Sequence, residues 1–223
     1  MKTHPFVKSV DNAMNSLSDE ETALMMKAYM RDQFEFLGVK KPFRADVLKS
    51  FSTEFKSLPE TEWPLIVQQL WKLPYREFQY MAMDFSRMKS KHFQPEHLPL
   101  FEHMITDKSW WDTVDFVAVN LIGELLRRNP ELKKDTVKSW TSTNNFWLHR
   151  TALLFQLKYG KNTDEKLLFQ LCTRYAKEKE FFIRKAIGWA LRQYSKSNPD
   201  AVRLYTQQQP LSPLSLKEAS KYI

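Results

Sequence analysis

The sequence predicts an all-α protein, and three observations carry that prediction. Apolar residues recur every three or four positions in long stripes, the period of an amphipathic helix. Glycine is scarce, with 4 in 223 residues, while 11 prolines punctuate the stripes. No run alternates apolar with polar residues at the period of two that marks a strand. In chain order the stripes predict helices over 4–16, 19–35, 42–56, 61–72, 75–88, 96–106, 111–127, 130–140, 145–158, 163–176, 181–195, 198–207 and 213–222. Most are short enough that tertiary packing, rather than intrinsic propensity, has to hold them.

Four of these helices are alike. YREFQYMAMDF begins at Tyr75, WDTVDFVAVNLI at Trp111, FWLHRTALLFQL at Phe146 and FFIRKAIGWAL at Phe181, a spacing of about 35 residues. Each opens with an aromatic residue, carries an apolar run and precedes a more polar helix. That is the pattern of stacked two-helix repeats whose neighbours bury each other's faces. The expected architecture is therefore a single domain over 1–223, an α-solenoid of HEAT-like two-helix repeats, curved with a concave basic groove.

Stacking sets equivalent helices side by side, so a polar residue at the same point of each repeat forms a row. Gln79, Asp115, Arg150 and either Arg184 or Lys185 fill that row. Asp115 is the odd member. On a period of 3.6 it lies under Trp111 and beside Ala118 and Ile122, where a helix normally keeps its apolar face. One reading pairs Asp115 with Arg150, one repeat away, as a buried salt bridge that keeps neighbouring helices in register. The other turns both toward a common groove. Trp111 and Trp189, at helical spacing, read on pattern alone as core aromatics.

Composition narrows the partners. A hydrophobic content of 43% is far from the signature of disorder, and 34 Lys and Arg against 26 Asp and Glu leave a net charge of +8. Such an excess favours polyanionic partners. It is also uneven: eleven basic residues face four acidic ones between Arg150 and Lys196, whereas 111–149 balances at five of each. A basic patch from one part of the chain is the electrostatic footprint of phosphate binding. The single cysteine, Cys172, sits beside Leu168 and Leu171 and reads as a packed thiol of a reducing compartment. The five histidines (4, 92, 97, 103 and 149) show no helical i, i+4 pair, so no metal is expected. No GxxxxGK[ST], GxGxxG or GxSxG occurs, so no nucleotide cradle, nucleophile elbow or cofactor is expected. The N-terminal residues lack an apolar run of signal-peptide length and no stretch is long enough for a membrane span. The expected location is the cytoplasm, on the nucleoid when DNA is bound.

SWWDTVD at 109–115, FWLHRTALLFQLKY at 146–159 and FFIRKAIGWALRQY at 181–194 closely resemble the AlkD family of DNA alkylation repair glycosylases. The resemblance extends over HPFV (4–7), MKAYMRDQFEFLGV (26–39), LWKLPYREFQ (70–79) and SNPD (197–200). It implies a HEAT-like scaffold that binds duplex DNA in a basic groove and excises positively charged alkylated purines such as 3-methyladenine and 7-methylguanine, as a monomer without cofactor. By resemblance Asp115 is the catalytic carboxylate, Trp111 and Trp189 flank the deoxyribose of the damaged nucleotide, and Arg150 holds the backbone nearby. Tyr29, Lys158, Phe181 and Phe182 match further DNA-facing positions. The GVKKPFR turn (38–44) matches a backbone-contacting segment and supplies Lys40, Lys41 and Arg44, with two lysines where the family usually has small or neutral polar residues. Arg184 and Lys185, from the basic row, complete the expected DNA-binding set.

The chemistry suits these residues. Alkylation at N3 or N7 leaves the purine cationic, so it departs as a neutral base and needs little acid catalysis. As the glycosidic bond lengthens, charge moves to the sugar as an oxocarbenium-like species, which a carboxylate stabilises. Asp115 could also orient or deprotonate the attacking water. Indole faces beside the sugar favour the cation by about 0.5–2 kcal/mol per well-placed ring. Burial raises an aspartate's pKa and Arg150 lowers it, and the mechanism requires ionisation near neutral pH. A carboxylate facing DNA is repulsive, so the basic segment has to offset it, with a steep salt dependence of binding. The resemblance implies excision without base flipping. Two other readings stand beside the enzyme: a non-catalytic binder of DNA structure, and a protein-interaction scaffold. A lyase is disfavoured because no lysine stands out as a desolvated Schiff-base nucleophile.

Overall fold

The computed structural model describes residues 2–222, and every regular element among them is helical. By contacts the chain forms two compact units, Met1–Phe93 and Gln94–Ile223. No helix among the described residues is long and apolar enough to cross a membrane.

The first unit holds α1 (Pro5–Asn15), α2 (Glu20–Tyr29), α3 (Lys41–Ser57), α4 (Trp63–Lys72) and α5 (Arg76–Met88). Helix α1 starts where the His4 ring accepts the Phe6 amide, with Pro5 in the first turn, and it buries the stripe Phe6, Val7, Val10 and Met14. Proline is tolerated there because its missing N–H has no intrahelical partner to lose. The Phe6 ring meets Phe55 of α3 and Phe85 of α5 at centroid distances of 5.6 and 5.3 Å. Trp63 and Trp71 complete this aromatic core with no exposed surface.

Helix α2 stops at Tyr29, short of the expected 35. Arg31 and Asp32 adopt left-handed backbone, with φ of 56° and 58°. Their amides fold back onto the carbonyls of Ala28 and Lys27, a C-terminal motif that closes a helix. The chain then runs without regular structure through buried Phe36, Leu37, Gly38 and Val39, with Gly38 at φ 86°. Three consecutive amides, of Leu37, Gly38 and Val39, donate to the buried Glu77 carboxylate at 3.1, 2.9 and 3.1 Å. Burial pushes the Glu77 pKa up, and these amides oppose it. Gln79, expected in the polar row, is instead fully buried. Its Nε2 donates to the carbonyls of Trp71 and Leu73 at 2.8 and 2.9 Å, where it satisfies orphan acceptors at the end of α4.

The second unit holds α6 (Leu98–Thr106), α7 (Trp111–Phe116), a π-helical turn (Val117–Ile122), α8 (Gly123–Arg128), α9 (Lys133–Thr141), α10 (Phe146–Leu154), α11 (Glu165–Arg174), α12 (Phe181–Ser195), α13 (Pro199–Gln208) and α14 (Pro213–Ala219). Helix α10 packs against α7 with its π turn and also against α12, so the helices that open at 111, 146 and 181 lie side by side. The expected 145–158 helix ends at Leu154, and Lys158 beyond it is exposed. Cys172 is fully buried, and that burial pushes its thiol pKa up.

The π turn changes the helical phase at the point where the sequence is ambiguous. A strict α-helix would set Asp115 and Ile122 on one face. An extra residue in one turn rotates the downstream side chains by about 100°. Ile122 and Leu121 are fully buried, while Asp115, upstream of the turn, keeps partial exposure. The Tyr159 hydroxyl donates to the Gly123 carbonyl at 2.7 Å just past this turn. A Cβ at Gly123 would lie 2.5 Å from the Phe155 carbonyl oxygen, so only glycine lets α8 approach the end of α10.

Gly188 plays the same part between α12 and α14. A Cβ there would stand 2.5 Å from Glu218 Cβ and 2.8 Å from the Ser215 carbonyl oxygen. Neither neighbour is the far end of a flexible side chain. Gly188→Val is expected to destabilise the fold by about 1–3 kcal/mol through overpacking, read as a lower denaturation midpoint at unchanged slope. An unchanged midpoint would contradict the close docking of α14.

Candidate active site

Lys108, at φ 49°, turns the chain out of α6 and into α7, which begins at Trp111. Trp111 and Asp115 are one helical turn apart, and so share a face at the start of the rod. On the neighbouring helix α10, Arg150 reaches back across 35 residues. Its Nε donates to Asp115 Oδ1 at 2.7 Å and its Nη2 to Oδ2 at 2.8 Å, a two-pronged charge-assisted pair. The third donor group, Nη1, bonds to the Phe182 carbonyl on α12. Arg150 therefore ties three stacked helices together at one point.

An aromatic cluster braces that point. The Phe182 ring meets Trp110 edge-on at 5.4 Å, lies 5.0 Å from Trp147 and is parallel to Phe146 at 6.5 Å. The Arg150 guanidinium stands 5.8 Å from the same ring. The arginine side chain is 5% exposed and the aspartate 16%. Hence the guanidinium is enclosed, while the carboxylate still has an open edge.

That edge opens into a pocket of about 390 Å³ lined by Trp111, Asp115, Arg150, Phe181, Phe182, Lys185, Trp189, Arg192 and Glu218. It is large enough for a nucleoside-sized group and mainly apolar in its walls. Two other hollows differ. One of about 10 Å³ beneath Gln156 and Tyr194 has room for a single water. The other, about 320 Å³ in the first unit, is lined by Ser16, Ser18, Asp19 and Lys40 among others. Among the described residues no three His, Cys, Asp or Glu side chains converge on a cation site.

Burial pushes the Asp115 pKa above the ordinary carboxylate range, and the two hydrogen bonds and the charge of Arg150 pull against it. Asp112, one turn back, adds to the rise. Desolvation outweighs the ion pair in this balance. Each carboxylate oxygen retains a lone pair beyond its bond to Arg150, so it can still accept from water or face a cation. Across the pocket the Glu218 carboxyl is held down to about 2, above all by its hydrogen bond from Lys185.

The structure brings Trp111, Asp115, Arg150, Phe181, Phe182, Lys185 and Trp189 together around this pocket. Arg184 lies on the same helix outside the lining, with its guanidinium bonded to the Lys179 carbonyl. Lys158 is exposed and donates to Asn120 Oδ1 of the π turn at 2.6 Å. In the first unit Tyr29 is 71% exposed at the end of α2, and Lys40 and Lys41 are exposed where α3 starts. Arg44 is half-buried, 4.6 Å from the Tyr80 ring centroid. Arg192 and Glu218 also line the pocket and were not among the expected site residues. Arg192 shares the 181 motif and lies seven residues past Lys185, a signal that could have found it. Glu218 comes from a short C-terminal helix outside every repeat, and no sequence signal marks it.

Against known proteins, the chain aligns with a solved structure entitled predicted DNA alkylation repair enzyme from Enterococcus faecalis. The identity is 33% over 92% of this chain and 96% of that one, with a TM-score of 0.87. AlkD2 from Streptococcus mutans shares the fold at 19% identity, a TM-score of 0.65, and 89% and 99% of the two chains. The smu.31 protein of Streptococcus mutans UA159 does so at 19% identity, a TM-score of 0.62, and 82% and 98% of the two chains. No curated protein matches the sequence significantly. The family model described as DNA alkylation repair enzyme matches residues 10–223, nearly the whole sequence, and the chain accordingly belongs to that family.

Proposed function

We propose that the protein is a DNA glycosylase that hydrolyses the N-glycosidic bond of cationic alkylated purines, 3-methyladenine and 7-methylguanine, in duplex DNA. The observation that carries this reading is the Asp115 carboxylate, oriented through both oxygens by Arg150 and open to a pocket that Trp111 and Trp189 also line. Positive charge that leaves the purine for the sugar meets a fixed negative group in a partly water-excluded site, where it counts for more than in bulk solvent. The same carboxylate can hold the water that attacks C1′. Lys185 and Arg192 supply cations for flanking phosphates. Excision proceeds from the sugar side, without rotation of the lesion out of the stack, so selectivity comes from the lability of a charged leaving group.

A second reading has one observation in its favour. Both Asp115 oxygens are already engaged by Arg150, as they would be in a purely structural pair, and a DNA-structure binder without chemistry would need no more. The partial exposure of the carboxylate beside two indoles supports the enzyme instead.

Single-turnover release of 7-methylguanine from a defined duplex is the deciding measurement. Asp115→Asn should retain DNA binding yet lose about 100- to 1000-fold in rate, the scale on which removal of one preorganised electrostatic group acts. Equal rates for variant and wild type would remove Asp115 from the mechanism. The pH profile has a definite sign: the ionised form is the active one and burial raises its pKa, so the acid limb of kcat/KM should fall at a higher pH than for an ordinary aspartate, whose value is 3.8. A limb at or below that value would contradict the desolvated site. On a panel of lesions the enzyme should release cationic adducts and leave uracil and hypoxanthine in place. Efficient uracil release by the pure protein would refute selectivity by charge.

A further inference from the structure

Glu218 faces the candidate pocket from α14, beyond every repeated motif. Its Oε1 accepts from Lys185 Nζ at 2.8 Å and its Oε2 from Arg192 Nη1 at 2.6 Å. Lys221 Nζ also lies 3.2 Å from Oε2. Lys185 and Arg192 are two turns apart on one face of α12, and with no counter-ion between them they would repel and splay. The backbone that carries Glu218 is held in place. Its Cβ sits where a side chain on Gly188 would be, and Ser215, one turn earlier, donates to the Arg184 carbonyl at 2.8 Å.

We infer that Glu218 is a positioning residue of this site: it holds the Lys185 ammonium and the Arg192 guanidinium side by side as one phosphate-binding pair, and thereby fixes where the DNA backbone passes Asp115. The inference rests on the glycosylase reading. An ammonium has three donors and a guanidinium five, so after one bond each to Glu218 both keep donors for phosphate oxygens. A carboxylate at a DNA surface lowers affinity by repulsion, and its contribution here is geometry rather than tightness. The fixed backbone of α14 separates this arrangement from a removable plug, which would have to leave before DNA could enter.

The predicted signature is an opposition of signs. Glu218→Gln should bind undamaged duplex a few-fold more tightly, with a log–log salt slope steeper by up to about one unit. Its single-turnover release of 7-methylguanine at saturating enzyme should fall by at least about tenfold, because small misplacements cost rate steeply. A merely structural role would weaken binding as well as rate, and a plug would raise the rate; either result overturns the inference. Lys221→Met, which removes a partner of Glu218 that does not line the pocket, should leave the rate of release unchanged, and a comparable loss of rate there would also overturn it. Where the glutamine variant does not fold, Glu218→Asp keeps the charge but withdraws it by one methylene. Rate should then fall with affinity unchanged, and an unchanged rate refutes the assignment. Failure of the wild type itself to release 7-methylguanine would sink the glycosylase reading instead. In that case unaltered duplex binding by Glu218→Gln would separately refute the placement of Glu218 at the DNA surface.

Discussion

The pairing of Asp115 with Arg150 is the constraint around which the second unit is organised. Two ions have been drawn largely out of water, at a cost of several kcal/mol each before any compensation. Only a geometry in which every strong donor finds an acceptor offsets that cost. Arg150 engages all three of its nitrogens, with two bonds to the carboxylate and one to the Phe182 carbonyl. Three helices have to be in register for those acceptors to coincide. The aromatic cluster of Trp110, Phe146, Trp147 and Phe182 supplies the rigid backing that keeps them so.

The site is also a compromise between two charges that a DNA-processing protein needs in one place. Under the proposed glycosylase reading, phosphates call for cations and a sugar that turns cationic calls for an anion. The pocket separates these demands in space. Asp115 is matched to a guanidinium that is itself enclosed, so the pair adds little net charge while keeping a carboxylate edge exposed. Lys185 and Arg192 stand with Trp189 on the adjoining helix, tied to Glu218. Both clusters depend on close helix approach, which Gly123 and Gly188 permit because neither has a side chain to hold its neighbour off.

Much of this was legible from the chain alone. The 3.6-residue period located the helices because local helical order depends on contacts three and four residues apart, which a sequence displays directly. The spacing of the repeated helices aligned Asp115 with Arg150, and the structure joins them. Where sequence reasoning stopped, the deciding contacts lie far along the chain. Gln79 has the polarity of a groove residue, but which acceptors it meets depends on how α4 ends, and it turns inward to cap that end. Helix α2 has a periodic pattern that could continue past Tyr29, yet Glu77, about forty residues later, captures the amides of Leu37, Gly38 and Val39 and holds that segment out of the helix.

By itself, the sequence determined an all-helical protein of repeated hairpins, its basic C-terminal half and the candidate acid with its arginine, since periodicity, charge and spacing are properties of the order of residues. Tertiary structure alone decided that the helix at 111 would carry a π turn, that Asp115 would face a pocket, and that Glu218 would close the charge network of Lys185 and Arg192. These outcomes turn on which distant groups come within hydrogen-bonding range once desolvation makes each unpaired charge costly, and that balance exists only in the packed molecule.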